Sequence, residues 1–354
     1  MRFPLKQTIT VARHIKENKG KKIQHFPLVL MLEPLHACNL KCEGCGRIRE
    51  YASTLKEQVP LEKCLKAIDD CQAPVVSICG GEPLIYKDIV PLVEQTIAKG
   101  RVVYLCTNGT VLDWKLPAFK PHKMFNINIH IDGMEKTHDA IVRRPGTFKQ
   151  VCENIKLAKK AGFTVCTNTT VYKETSAEEI EDLFRHLQAL SVDGMLISPG
   201  FEYVDLIPPN PPLVKGGDRS IPPFVKGGGG GLFMTADEIS EKFRKIQKFA
   251  KKYRVWSTPI FFDFLAGERD LRCTPWGNVT YNIAGWKAPC YLITDKHFDD
   301  YNDFLSNVDW DKYQSKSDKR CANCMVHSGF EPTVALETST HLKDMLRMAW
   351  WTLS

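Results

Sequence analysis

Cys38, Cys42 and Cys45 stand in one short run, Ala37-Cys-Asn-Leu-Lys-Cys-Glu-Gly-Cys-Gly46. This C-x3-C-x2-C spacing suits three thiolates gathered on one side of an iron–sulfur cube, with the fourth iron left without a protein ligand. Electron-transfer clusters are normally closed by four cysteines. A three-cysteine cluster keeps an open iron, and an open site on a metal is where a substrate or cofactor binds. The competing readings are a zinc site lacking its fourth ligand and three unrelated buried thiols.

Composition narrows the setting. Lys and Arg number 48 against 41 Asp and Glu, giving a net charge of +7 and a pI near 8.7. That balance is mildly basic, and no Lys/Arg block is dense enough to argue for nucleic acid. Thirteen cysteines and no recognisable signal peptide imply a reducing, cytoplasmic setting in which thiols serve metals and chemistry. No run of about 18 apolar residues exists to span a membrane.

The elements that must position the thiols follow from periodicity. Strand-like runs at Leu28–Leu35, Val75–Cys79, Val102–Cys106, Phe125–Ile131, Thr164–Val171 and Gly194–Ser198 alternate with helical patterns. The helical patterns include Leu61–Cys71, Ile89–Lys99, Phe148–Ala161 and Ala177–Leu190. The alternation predicts an α/β fold, a partial (β/α)6 TIM-type barrel, since six units are fewer than the eight of a closed one. In the fourth strand Phe125, Ile127, Ile129 and Ile131 alternate with Asn126, Asn128, His130 and Asp132. A period of two sends these sets to opposite faces, so the apolar set should meet the helices and the polar set the barrel lumen. A half-exposed antiparallel strand would alternate in the same way.

The expected organisation is a basic N-terminal segment (1–24), a barrel core (25–206), an inserted loop (207–232) and a helical, cysteine-containing extension (233–354). In the insert, Pro211-Pro-Leu-Val-Lys-Gly-Gly217 recurs eleven residues later as Pro222-Pro-Phe-Val-Lys-Gly-Gly228. Such Pro/Gly density cannot build a core. A helix is expected at Thr235–Lys252 in the extension, followed by four more thiols, Cys273, Cys290, Cys321 and Cys324. Cys321 and Cys324 have chelating C-x2-C spacing. An auxiliary iron–sulfur cluster, a zinc ion and no metal all remain open there.

Predicted strand ends carry Gly80-Gly-Glu-Pro83, Cys106-Thr-Asn-Gly109 and Asp132-Gly133, in that order, behind the cysteine run. With these motifs, residues 25–200 resemble a radical S-adenosylmethionine (SAM) enzyme. The resemblance implies a [4Fe–4S] cluster on Cys38, Cys42 and Cys45, its open iron chelated by the methionine part of SAM. It places Gly80, Gly81, Glu82 and Pro83 at the cofactor, where glycines allow close backbone approach. His130, Asp132 and Asn168 are candidates for the ribose or substrate region by strand position alone. Arg143 and Arg144 either neutralise a carboxylate or are solvated.

Four stretches are similar to hopanoid-biosynthesis radical SAM proteins, the adenosylhopane synthase family. They are Met1-Arg-Phe-Pro-Leu-Lys-Gln-Thr8, Cys38-Asn-Leu-Lys-Cys-Glu-Gly-Cys-Gly-Arg-Ile48, Ser77-Ile-Cys-Gly-Gly-Glu-Pro83 and Gly285-Trp-Lys-Ala-Pro-Cys-Tyr-Leu292. The similarity implies a transferase that adds a 5′-deoxyadenosyl radical to the alkene of diploptene. It implies Cys106 as hydrogen-atom donor, with Cys79 as the competing thiol. Cys64, Cys71, Cys152 and Cys166 read as packing residues. The implied partners are diploptene and a ferredoxin or flavodoxin reductant. A bilayer-dwelling substrate also implies peripheral contact at the inner membrane face through the basic stretch Val11–Ile23 and the Trp350–Trp351 pair, unless that pair packs against the domain. Two rivals remain: a radical SAM enzyme abstracting hydrogen from a peptide with an auxiliary cluster, and an electron-transfer or sensing module.

Overall fold

The computed structural model describes residues 4–201, 232–338 and 341–353. Six strands pair in parallel and in chain order: β1 (Val29–Leu32), β2 (Val75–Ile78), β3 (Val102–Thr107), β4 (Phe125–His130), β5 (Thr164–Val171) and β6 (Gly194–Pro199). Right-handed βα crossovers place the connecting helices on one side of such a sheet. The helices lie at Leu61–Cys71, Ile89–Ala98, Thr147–Lys160 and Ala177–Ala189, within a residue or two of their periodicity in the sequence. Each turns one apolar face inward. The Ala177–Ala189 helix buries Ile180, Leu183, Phe184 and Leu187, and starts where Ser176 accepts a hydrogen bond from Glu179 N–H.

In β4 the apolar set sorts as expected, whereas of the polar set only Asn128 and His130 reach a cavity, Asn126 and Asp132 being buried off its wall. Phe125, Ile127 and Ile129, and Ile131 just beyond the strand, join the main core with Phe148, Val151 and Ile155 of the covering helix. Asn128 and His130 face the opposite side and line a cavity. The strand is buried and paired in parallel on both edges, so it is not a half-exposed antiparallel strand.

Beyond β1 the sheet continues. The C-terminal part contributes β7 (Asn278–Asn282), parallel to β1, and then β8 (Gly285–Pro289) and β9 (Thr294–Phe298), both antiparallel. The order is β6-β5-β4-β3-β2-β1-β7-β8-β9. The extension therefore shares one sheet with the barrel strands. The helix expected at 235–252 runs Ala236–Ala250, opened by a capping box between Thr235 and Glu238.

The N-terminal basic segment forms a helix, Leu5–Gly20. It is tied to the barrel where Tyr104 Oη donates to Gln7 Oε1 at 2.7 Å, and to the extension where Lys19 Nζ donates to Leu336 O at 2.9 Å. A second terminal helix, Leu342–Leu353, ends the described chain. Most of the repeat insertion lies outside the described residues. Among the described residues, no helix is long and apolar enough to cross a membrane.

Candidate active site

The cysteine run leaves the end of β1 as a loop and closes in a short helix, Gly46–Glu50. The loop is fixed mainly by backbone pairing to the Gly80–Glu82 segment at the end of β2. Gly81 N–H donates to Leu35 O at 3.0 Å and Glu82 N–H to Ala37 O at 2.8 Å. A Cβ on Gly81 would lie 1.9 Å from Ala37 O, and Gly80 has φ +103°, so the two glycines are needed for this close approach. Their bare backbone serves the cysteine loop as well as the cavity they line. On the loop's far side, Glu43 N–H donates to Ile141 O at 2.7 Å and the Glu43 carboxylate pairs with Arg143. Arg143 is thus a clamp on the cysteine loop; Arg144 is exposed.

Cys38, Cys42 and Cys45 are half-buried and open into one cavity of about 1240 Å³. Cys38 Sγ accepts from Leu40 N–H at 3.4 Å and from the Asn108 amide at 3.8 Å; that amide also donates to Asn39 Oδ1 at 2.8 Å. Burial, with Glu82 and Cys45 adding, pushes the Cys38 thiol up to about 11. Cys42 is raised by burial, by both other thiols and by Asp132. Thiols that disfavour one another's ionisation beside a carboxylate require positive charge to become ligands together. Iron would supply it, so the donor set fits a cluster. Among the described residues, no three Cys, His, Asp or Glu side chains are gathered tightly enough to hold a single metal ion. A cube keeps its thiolates farther apart than a single ion does.

The remaining sequence candidates divide between the wall and the frame. Gly80, Gly81, His130, Asn168 and Cys106 line the cavity. Glu82 does not: it is fully buried, accepting from Leu84 N–H, Thr107 Oγ and Asn108 N–H at 2.7–3.0 Å. Burial raises its carboxyl to about 7. Glu82 thus braces the end of β2 against the end of β3, and Pro83 is buried behind it. Asp132 is likewise off the wall; it accepts from Thr170 N–H at 2.8 Å and pairs with His130 Nε2 at 2.5 Å. Burial would lower the His130 imidazole, but this carboxylate outweighs it and the net shift is upward. His130 faces the cavity and Asp132 orients it.

Cys106 projects from β3 between two polar neighbours. Its Sγ lies 3.1 Å from Ser77 Oγ and accepts from the Asn128 amide at 3.5 Å. Burial raises its thiol above the ordinary range, so the sulfur keeps its proton at neutral pH. Cys79 also touches the cavity but is more deeply buried. Cys64, Cys71, Cys152 and Cys166 are packed in core clusters, as their positions on helices and strands imply. The periodicity of β4 exposed Asn128 as polar and inward-facing, but nothing in the sequence paired it with Cys106.

Much of the cavity is apolar, walled by Val11 and Ile15 of the N-terminal helix, Met31, Leu196, Trp256 and Met348. Single-ligand pockets occupy about 300–1,000 Å³, so this cavity has room for two ligands. The four C-terminal cysteines sit apart from these walls. Each of Cys290, Cys321 and Cys324 bears electrostatically on Cys273, and burial raises all four thiols. A Cβ on Gly329 would lie 2.6 Å from Cys273 Sγ.

An open barrel of parallel strands, with three thiols on the loop beyond the carboxyl end of β1 and on the wall of a large cavity, fits an iron–sulfur protein of the partial-barrel type. Residues 32–187 match the family model of the radical SAM superfamily and form a radical SAM domain; such domains use a [4Fe–4S] cluster and SAM. Residues 229–348 match a domain of unknown function, DUF3463. An AdoMet-dependent heme synthase of Methanosarcina barkeri is 29% identical over 45% of this chain and 46% of its own length. The antilisterial bacteriocin subtilosin biosynthesis protein AlbA of Bacillus subtilis is 28% identical over 51% of this chain and 41% of its own. The chain thus spans about half the length of the curated relatives it matches. SuiB of Streptococcus suis, bound to precursor peptide SuiA, shares the fold with TM-score 0.62 and 13% identity, over 91% of this chain and 76% of that one.

Proposed function

We propose that this protein is a radical SAM transferase that joins the 5′-deoxyadenosyl group of SAM to the alkene of diploptene, giving adenosylhopane. The observation that carries the reading is the cavity: one apolar space large enough for two ligands, with the cluster thiols and Cys106 on its wall. Cys38, Cys42 and Cys45 would hold the [4Fe–4S] cluster, which when bound would supply the electron for reductive cleavage of the sulfonium C–S bond of SAM to methionine and a 5′-deoxyadenosyl radical. The apolar walls from Met31, Leu196 and Trp256 suit a fused-ring hydrocarbon, which offers no hydrogen bonds. His130 and Asn168 provide polar contacts for the nucleoside. Cys106 serves the last step. Its S–H bond is weak enough to give a hydrogen atom to the tertiary carbon radical that addition leaves. One electron from a ferredoxin or flavodoxin and one proton from solvent then restore the thiol.

The relatives favour a second reading, hydrogen abstraction from a peptide. AlbA is a bacteriocin biosynthesis protein and SuiB binds a precursor peptide, while no triterpene enzyme stands among the relatives given above. Cys273, Cys290, Cys321 and Cys324 would then hold an auxiliary iron–sulfur cluster. The test is anaerobic reconstitution with SAM, dithionite and diploptene, followed by mass spectrometry. A hopane–deoxyadenosyl adduct is the expected product. Only 5′-deoxyadenosine and methionine, in amounts that diploptene does not change, would remove the triterpene reading and leave the peptide one.

A further inference from the structure

The helix Leu342–Leu353 is built inside out for a helix on a water-soluble domain. Leu342, Met345, Leu346, Ala349, Trp350 and Leu353 follow helical spacing along one face, and that face is exposed. Leu342 is 68% exposed, Leu346 63%, Trp350 72% and Leu353 67%. An apolar stripe of this period normally faces the core. Here charged residues fasten the inner side. Asp344 accepts from both terminal nitrogens of Arg269 at 2.7 and 3.0 Å, and Arg347 Nη2 donates to Asp263 Oδ1 at 2.9 Å. Trp351 is buried against the domain, so the tryptophan pair is split, one ring in and one out.

The stripe borders the mouth of the cavity. Met345, Ala349 and Leu353 are both exposed and part of its wall, as are Ala12, Lys16 and Lys19 of the N-terminal helix. That helix adds exposed Leu5 and Ile9, each 47% accessible. Its charge is one-sided: Lys6, Arg13, Lys16 and Lys19 are exposed against Glu17 alone, and exposed Lys21 and Lys22 follow. Apolar side chains flanked by cations are the composition of a helix that lies in the interface of an anionic bilayer.

We propose that the two terminal helices dock this protein on an anionic lipid bilayer and set the cavity mouth against it. The inference rests on the helices and not on the identity of the substrate, so its test is independent of turnover. The full chain is floated with vesicles of equimolar phosphatidylcholine and phosphatidylglycerol, and separately with pure phosphatidylcholine vesicles. Binding to the anionic vesicles should be at least about tenfold stronger and should fall with salt. Leu346→Ser/Trp350→Ser, neither residue on the cavity wall, should weaken it by about tenfold or more without lowering the melting temperature. Lys6→Glu/Arg13→Glu should abolish the preference for anionic lipid. Unchanged binding by either variant overturns the proposal. So does failure of the parent chain to bind: if it then sediments as a dimer that the Ser variant splits, a second copy covers the stripe. If it sediments as a monomer, the stripe is covered within the chain.

Discussion

Strand register sets the neighbours of Cys106: Asn128 lies directly across on β4, and Ser77 reaches it from β2. A hydrogen donor must keep its proton and present a weak bond, and burial secures the first while sulfur supplies the second. Cys106→Ser should therefore fail as Cys106→Ala does, although it preserves size and hydrogen bonding, because an O–H bond is too strong to yield the atom. Both variants should still cleave SAM, with the adduct reduced at least about tenfold or formed as a mixture of epimers, read by mass spectrometry and NMR; wild-type yield from Cys106→Ser would exclude the role. A second residue governs stability. Glu331, which accepts from Thr258 N–H and Oγ at 2.9 and 2.8 Å, is raised by burial from 4.5 to about 7. The folded protein holds this proton after the unfolded chain has lost it. Its favourable contribution is therefore complete below the ordinary value of 4.5 and is lost as pH rises through 7. At about 1.4 kcal/mol per pKa unit the effect is on the order of 3 kcal/mol. Glu331→Gln should be more stable than the parent at pH 8 but not at pH 4, measured by urea midpoints.

At the scale of elements, the cysteine loop is held from two sides. On one side Gly81 abuts Ala37. Gly81→Ala would drive a methyl group into a carbonyl and displace the loop, so reconstituted iron and sulfide should fall by more than about half while the circular dichroism stays native. On the other side the helix Gly46–Glu50 meets β8 through buried charge: Arg47 Nε pairs with Glu33 at 2.7 Å, Lys287 Nζ with Glu50 at 3.1 Å, and the Arg47 guanidinium stacks 4.3 Å over Tyr291. Burial disfavours ionised Glu33, yet Arg47, His36 and Lys287 together hold it at about 2. Arg47→Met would strand that carboxylate and should cost about 3–5 kcal/mol, part of which Arg47→Met/Glu33→Gln restores, as read by thermal melts. None of this network was legible in the sequence, because it joins residues 33, 47, 50 and 287 across distant segments. The β1–β6 strands were legible, since buried parallel strands are apolar runs bounded by turn residues. β7 was not: Asn278-Val-Thr-Tyr-Asn282 is short and half polar, and it becomes a strand by pairing with β1. The helix Leu5–Gly20 read only as basic sequence, because its apolar positions are too sparse to mark a buried face.

For the molecule as a whole, the decisive contact is between the two sides of the repeat insertion. A Cβ on Gly200, just after β6, would meet the Phe233 ring at 3.1 Å, and Lys173 N–H donates to Leu232 O at 3.0 Å. Tyr172 and Phe233 are in ring contact with centroids 6.0 Å apart. The chain thus leaves the barrel and re-enters it at nearly the same place, and the sheet runs on from β1 into β7 without the insertion. We infer that residues 202–231 are not needed to assemble the two parts. Replacing them with a short Gly-Ser link should leave soluble protein that still reconstitutes its cluster and cleaves SAM. Loop closure changes by only about 0.6 kcal/mol per doubling of length, so the shorter link should shift stability by no more than about 2 kcal/mol, and toward the folded state. By contrast, a chain ending before residue 232 loses β7 and exposes the edge of β1, together with the apolar faces that Ile239, Phe243 and Phe261 cover. That fragment should be insoluble. A soluble, cluster-binding fragment would show that the barrel folds without its extension, and a linked chain that cannot bind iron would show that the insertion shapes the site. Either result would break the single-sheet account of how these two halves make one cavity.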